Sequence, residues 1–408
     1  MIKFKKVYSI TYQYKNLPFF SNGKGFSKLQ ARKSAFGEMC ERLMTKSYFE
    51  DYFLENLYPD RKQTKNFLTK KLKKIYKIDN LTKEDLIDFN TSSKEILSIP
   101  FIRKSDNKKI YFPINLIQNL YGSNGMAYYP DEKKSFENAL SEIIERFVKF
   151  KVIKEGLSLP KIKHKFNSKN IQVYDSSLGK YPVMAVSYIK NGKILLAFGC
   201  DINQQKAIKK AYLELMQGRK NFKNIGEFSD NLDDVQDSYN LENHYISNIG
   251  LIHTNFLKKS KFKTKKWNFK NYNVFKEEIY FRKQQYKNRF TYQIIIPSIS
   301  EVYPIDDLIY NNRNKGKFYR DLILNYKQFP KHLIIEELEQ LNPYLDLGKF
   351  IGVIFKKQIL VIDFINMLKN GKVKLKFSSK YKKIKKIVKL LNKFKYNFKK
   401  DLRRKNGY

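Results

Sequence analysis

Three stretches of the chain repeat one plan, an apolar strand-prone run, a glycine loop and a helix, and this echo constrains the fold more than any other feature. In the first, Val7 to Tyr14 alternates as a strand, Ser21-Asn22-Gly23-Lys24-Gly25 reads as a loop, and Leu29, Ala31, Ala35, Phe36, Met39 and Leu43 recur at helical spacing. The second has an apolar strand-prone run from Ile110 to Leu120 and a Ser123-Asn124-Gly125 loop. Its helix is marked by Phe136, Ala139, Leu140, Ile143, Ile144 and Phe147. The third runs through 183–219: Val183 to Tyr188 and Ile194 to Phe198 lead to Gly199, and a helix follows from about Gln204 to Gln217.

The connections read differently. Residues 50–95 are Lys-rich and expected to be helical, and 226–245 form the one acidic stretch. Strand-like alternation returns over 275–303, and 316–408 read as helices. The Lys-rich helix after Lys380 is open to two readings, a solvated terminal helix or an RNA or partner contact.

Each repeat carries acceptors on one helical face. Glu38 and Glu41 are three apart and Arg42 follows; Glu142, Glu145 and Arg146 repeat that spacing; Glu214, Gln217 and Arg219 keep the geometry with one charge removed. Two carboxylates about 5–6 Å apart repel by roughly 3 kcal/mol at an effective dielectric near 20. Exposed, such pairs mean little. Embedded among Met39, Leu43, Ile143, Ile144 and Phe147, they call for cations. Four carboxylates from two helices suit a hard cation with oxygen ligands, Mg²⁺, which bridges readily to phosphates. Lys24, Arg42, Arg146 and Arg219 are then natural triphosphate partners. No Walker A pattern, G-x-G-x-x-G or kinase signature is present, so a nucleotide site here is of a non-P-loop kind.

Composition narrows the remaining classes. There is no apolar run of 18 or more residues, and the basic N-terminus lacks an apolar leader, so a cytoplasmic protein without a membrane span is expected. Two cysteines, Cys40 and Cys200, and four scattered histidines exclude a disulfide framework, a Cys-ligated cluster and a recognisable zinc motif. The net charge of +42 invites a ribosome or RNA contact, yet only 12 of 81 basic residues are arginine. Abundant Lys, Asn, Ile, Phe and Tyr together point to an AT-rich coding sequence, and nucleic-acid sites favour arginine.

The motifs carry a family resemblance. Ser21-Asn22-Gly23-Lys24-Gly25 with Ala31, Ser34-Ala35 and Glu38-x-x-Glu41-Arg42 resembles the first ATP-binding motif of the YcaO family. Ser123-Asn124-Gly125-Met126 with Glu142-x-x-Glu145-Arg146 resembles the second, and Leu213-Glu214-Leu215-Met216-Gln217-Gly218-Arg219 the third. Tyr174 to Gly179 and Ile296 to Pro304 resemble the bacterial housekeeping branch, and the likeness extends more weakly to about residue 375.

The resemblance implies an α+β fold of strand–loop–helix units around an ATP cleft, with residues 1–330 as the ATP-binding core and 331–408 as a short helical region. It implies ATP and Mg²⁺ as cofactors. Glu38, Glu41, Glu142 and Glu145 would hold the metal; Ser21, Lys24, Ser34, Arg42, Arg146, Gln217 and Arg219 would contact nucleotide, with Glu214 behind them. Family members phosphorylate a backbone amide oxygen so that a nucleophile can attack. The housekeeping branch implies an accessory role in β-methylthiolation of ribosomal protein S12, beside the methylthiotransferase RimO, in a homodimer. Two other readings stay open: an enzyme that itself makes thioamides or heterocycles, and a basic ribosome- or RNA-binding module. The chain ends Arg403-Arg404-Lys405-Asn406-Gly407-Tyr408, not in the proline-rich terminus of azoline-forming members. Its N-terminus is also shorter than in the housekeeping branch, so cyclodehydration is not expected and turnover is expected to be slow or lost.

Overall fold

The computed structural model describes residues 7–14, 16–64, 82–155, 157–190, 193–216, 245–246, 264, 266–302 and 312–393. The fold is α+β. The first elements are strands β1 (Tyr8–Gln13) and β2 (Phe20–Gly25), helix α1 (Lys28–Thr45), and strands β3 (Lys62–Gln63), β4 (Leu97–Arg103), β5 (Lys109–Pro113) and β6 (Met126–Tyr129). Helix α2 (Glu132–Lys154) leads to β7 (Lys161–Ile162), β8 (Ile171–Asp175), β9 (Val183–Lys190) and β10 (Lys193–Cys200), and α3 (Gln204–Leu215) follows. Next come β11 (Tyr245–Ile246), β12 (Tyr280–Tyr286) and β13 (Arg289–Ile295), then helices α4 (Asn312–Leu324), α5 (Lys331–Glu339), α6 (Leu347–Ile351), α7 (Val361–Lys369) and α8 (Ser379–Leu391).

These elements form two compact units, Met1–Thr45 with Tyr121–Tyr303, and Lys46–Leu120 with Pro304–Tyr408. In the first, β11-β10-β9-β8-β7 make an antiparallel sheet buried on both faces. Successive strand residues point to opposite sides. Val183, Ala185, Leu196 and Phe198 therefore pack with Ala139, Leu140, Ile143 and Ile144 of α2. Met184, Val186 and Ala197 pack with Ala207, Ile208 and Ala211 of α3. Strands β12, β13 and β6 form a second antiparallel ladder. The β1–β2 hairpin lies along α1. In the second unit, β3-β4-β5 pair antiparallel, and Ile323, Ile334, Leu338, Ile351, Phe364 and Ile365 build a helical core. Among the described residues, no helix is long and apolar enough to cross a membrane.

Three sequence expectations are corrected. Ser21 to Gly25 is a strand and not a loop: it pairs residue for residue with β1 while Ser21, Gly23 and Gly25 face inward. Its glycines serve packing, because a Cβ at Gly23 would stand 2.0 Å from the Ala31 carbonyl oxygen and 2.2 Å from the Ala35 nitrogen. Ile110 to Leu120 is a short strand followed by helical turns, and the strand that feeds α2 is β6 instead. The described parts of 50–95 are turns, the two-residue strand β3 and one 3-10 turn at Glu84–Leu86, not the long helix expected. The buried Asn90 amide holds them by donating to the carbonyls of Glu50 and Tyr52 at 2.8 and 2.6 Å. The alternation over 275–303 and the helices after 316 are found as expected. Most of the acidic stretch and the tail from 394 lie outside the described residues.

Candidate metal and nucleotide site

The three repeats share one register once each is counted from the strand residue lying against its helix. From Gly23, Ala31 and Ala35 fall at +8 and +12, Glu38 at +15, Glu41 at +18 and Arg42 at +19. From Gly199 the same offsets give Ala207, Ala211, Glu214 and Gln217. A Cβ at Gly199 would stand 2.3 Å from the Ala207 oxygen and 2.4 Å from the Ala211 nitrogen, matching Gly23. In the second repeat the equivalent is Ala127, which gives Ser135, Ala139, Glu142, Glu145 and Arg146. Ser135 Oγ donates to the Ala127 carbonyl at 2.9 Å, fastening β6 to α2. The shared Ser-Asn-Gly tripeptides are thus two residues out of register. Gly125 does another job: its φ of +74° and the Ile294 oxygen 2.3 Å from where a Cβ would sit admit only glycine.

This register delivers carboxylates from three helices to one region. Arg42 pairs with Glu38 at 4.0 Å and with Glu41 at 3.8 Å, and Arg146 with Glu142 at 3.2 Å. The Asn22 N–H donates to Glu38 Oε2 at 3.3 Å and the Cys200 N–H to Glu145 Oε2 at 3.1 Å. Lys24 pairs with Glu214. Ser21 is buried, its hydroxyl donating to the Ala35 carbonyl at 2.7 Å, so it locks β2 onto α1. Ser34 is exposed on α1. Gln217 and Arg219 lie outside the described residues.

The electrostatics reflect crowding. Burial raises the Glu38 carboxyl and raises Glu41 well above the ordinary range, opposed by Arg42 and reinforced by Glu142. Burial also raises Glu145, against Lys24 and Lys210. Lys24 is lowered to about 8 by burial, and Glu145, Glu38 and Glu142 resist that fall. Sequence reasoning passed over Lys210. It sits at +11 from Gly199, where Ser34 stands in the first repeat, and donates to the Cys200 carbonyl at 2.8 Å while pairing with Asp201 at 3.2 Å. The spacing from Gly199 was the available signal.

Six carboxylates, with Asp201 included, thus face four cations (Lys24, Arg42, Arg146 and Lys210) among the described residues. Among those residues no three carboxylate, imidazole or thiol groups are placed to hold a metal by themselves; each glutamate is turned to a protein donor. The donor set is nevertheless all hard oxygen with excess negative charge, which fits Mg²⁺ and a phosphate chain and does not fit a soft metal.

Comparisons with known proteins identify the family. Residues 22–280 match the family model described as YcaO cyclodehydratase, ATP- and Mg²⁺-binding. The chain is 33% identical to an uncharacterized protein of Haemophilus influenzae, over 86% of this chain and 70% of that one. It is 32% identical to the ribosomal protein S12 methylthiotransferase accessory factor YcaO of Escherichia coli, over 79% of this chain and 65% of the relative. Among solved structures, YcaO from Methanopyrus kandleri, bound with AMPPCP and Mg²⁺, aligns with a TM-score of 0.46 and 13% identity. That alignment covers 74% of this chain and 87% of the other. The protein class is therefore an α+β chain of repeated strand–helix units bearing an acidic, arginine-flanked site. The chain belongs to the YcaO family.

Proposed function

We propose that the chain binds Mg-ATP between the C-terminal half of α1, the middle of α2 and the C-terminal end of α3, and serves as an accessory factor in β-methylthiolation of ribosomal protein S12. The observation that carries the binding site is the in-register delivery of Glu38, Glu142 and Glu214 around Lys24. In this reading Glu38, Glu41, Glu142 and Glu145 would hold Mg²⁺, which would supply positive charge against a triphosphate. Lys24, Arg42, Arg146 and Ser34 would contact the nucleotide, and the family resemblance would add Gln217 and Arg219 to that set.

The S12 role is supported by identity to the Escherichia coli accessory factor, of which this chain spans 65%. RimO as working partner, a homodimer and a cytoplasmic location belong to the same reading. Mass spectrometry of S12 from cells lacking the protein tests it: the β-methylthio-aspartate mark is expected to fall, and an unchanged mark rejects the role. The alternative, an enzyme that itself activates backbone amides, is favoured by the family description as cyclodehydratase. ATP consumption that depends on an added peptide substrate would select it.

Lys24 supplies a pH signature. Its ammonium is lowered to about 8, so the charge is present at pH 7 and lost as pH rises through that value. ATP affinity measured by calorimetry is expected to fall up to tenfold between pH 7.5 and 9. Lys24→Met is expected to bind about tenfold more weakly at pH 7 and to lose that slope. A slope unchanged in Lys24→Met removes Lys24 from the phosphate site.

A further inference from the structure

From residue 364 to residue 400 the chain contains no acidic residue and fourteen lysines, although it carries 39 Asp and Glu in all. Codon bias toward lysine does not explain the loss of acids, since Glu and Asp persist elsewhere in the same sequence. The structure sorts this stretch into two faces. Tyr381, Ile384 and Val388 of α8 are buried, while Lys380, Lys382, Lys383, Lys385, Lys386 and Lys389 are exposed. Lys382, Lys386 and Lys389 recur at i, i+4 and i+7, a single stripe along the helix. Lys372, Lys374 and Lys376, in the segment leading to α8, are exposed as well. Among the described residues, none of Lys372 to Lys393 has an acidic partner within ion-pair distance. Within this basic surface Phe377 stays 41% exposed, its ring stacked on Phe355 at 5.9 Å and tilted against Tyr381 at 5.4 Å, with the Lys385 ammonium 5.8 Å from its centre.

We propose that the lysine face of α8, with Phe377 beside it, binds single-stranded RNA. Lysines neutralise phosphates, and an exposed ring gives a base a stacking platform without sequence preference. An anionic membrane fits less well. A membrane-surface helix needs a free apolar face to insert, and the apolar face of α8 is buried in its own unit. The proposal is independent of the ATP reading, whose residues all belong to the other compact unit.

The test uses the full chain and a fluorescent mixed-sequence single-stranded RNA. One variant carries Lys382→Gln, Lys383→Gln, Lys386→Gln and Lys389→Gln. The control carries the same charge change at exposed Lys161, Lys163, Lys165 and Lys276. The α8 variant is expected to lose at least tenfold in affinity at 0.1 M salt, and its log–log salt slope to shrink by about 2–3. The control should lose no more than about threefold. Phe377→Ala is expected to weaken RNA binding several-fold and leave competition by inorganic polyphosphate unchanged. Equal weakening by both quadruple variants overturns the proposal in favour of diffuse charge. Tight binding to phosphatidylserine vesicles without RNA binding overturns it in favour of a membrane surface. Far-UV circular dichroism and Mg-ATP affinity, both expected to match wild type, show that the α8 variant is folded.

Discussion

Gly23→Ala is expected to destabilise the protein by about 3 kcal/mol or more and to abolish nucleotide binding in whatever fraction still folds. The added methyl would stand 2.0 Å from the Ala31 carbonyl and 2.7 Å from the Ala35 Cβ. Two of its three nearest atoms are helix backbone, so no rotamer change relieves the clash. Either β2 or α1 must move by more than an ångström, and overpacking of that kind costs at the upper end of the usual range. The movement carries Lys24 and the Asn22 N–H away from Glu214 and Glu38, which links the fold defect to the site. Gly199→Ala is expected to behave alike. Gly37→Ala is the opposite case. No atom lies within 4 Å of its added Cβ, and it sits inside α1, so a gain of roughly 0.5–1 kcal/mol is expected. Urea unfolding followed by Trp267 fluorescence reads all three, because that single tryptophan packs in the same unit, its Nε1 donating to the Ile202 carbonyl. A Gly23→Ala midpoint equal to wild type would mean that β2 does not lie on α1 as described.

The second large effect is expected at Arg320, in the helical unit. Its side chain is fully buried, with guanidinium nitrogens donating to the carbonyls of Phe89 at 2.6 Å and Thr91 at 2.7 Å. The guanidinium carbon lies 3.9 Å from the Phe53 ring centre and 5.0 Å from that of Phe89. Arg320→Met keeps most of the volume but strands two buried carbonyls and removes both ring contacts, at an expected cost of about 3 kcal/mol. Arg320→Ala adds a cavity and is expected to cost about 4–5 kcal/mol. Scanning calorimetry of both variants checks the order. A methionine variant as stable as wild type would show that the arginine is not what joins 89–91 to α4.

These two positions differ in how far the sequence exposed them. The helical period of α1, α2 and α3 and the Glu-x-x-Glu-Arg spacing were readable, because burial of a helical face forces apolar residues into a fixed period. The role of Gly23 was not. Glycine beside Ser, Asn and Lys reads locally as a turn, and only the helix lying across it reveals a strand emptied of side chains for close approach. The same blindness shifted the second repeat. Ser-Asn-Gly looked like the common landmark, yet Ala127 occupies the place of Gly23 and Gly199. The two-residue difference between 17 from Ser21 to Glu38 and 19 from Ser123 to Glu142 was the trace of it. Arg320 left no signal at all, since its partners are backbone carbonyls more than 200 residues away, and carbonyls are anonymous in a sequence. Lys210 also acts on a backbone carbonyl, that of Cys200, and only its spacing from Gly199 marked it in the sequence.

The central claim is that three helices deliver carboxylates to one Mg-ATP site, and calorimetric ATP binding by wild type, Glu38→Gln and Glu145→Gln tests it most directly. Glutamine keeps the size and an acceptor oxygen of each side chain, including the one facing the Cys200 N–H, and removes only the charge. Wild type is expected to bind ATP with Mg²⁺ and to lose binding in excess chelator. Each variant is expected to bind at least tenfold more weakly while unfolding at an unchanged or higher urea concentration, because burial already disfavours both charges. Equal affinity in all three proteins would place the nucleotide elsewhere and contradict the account.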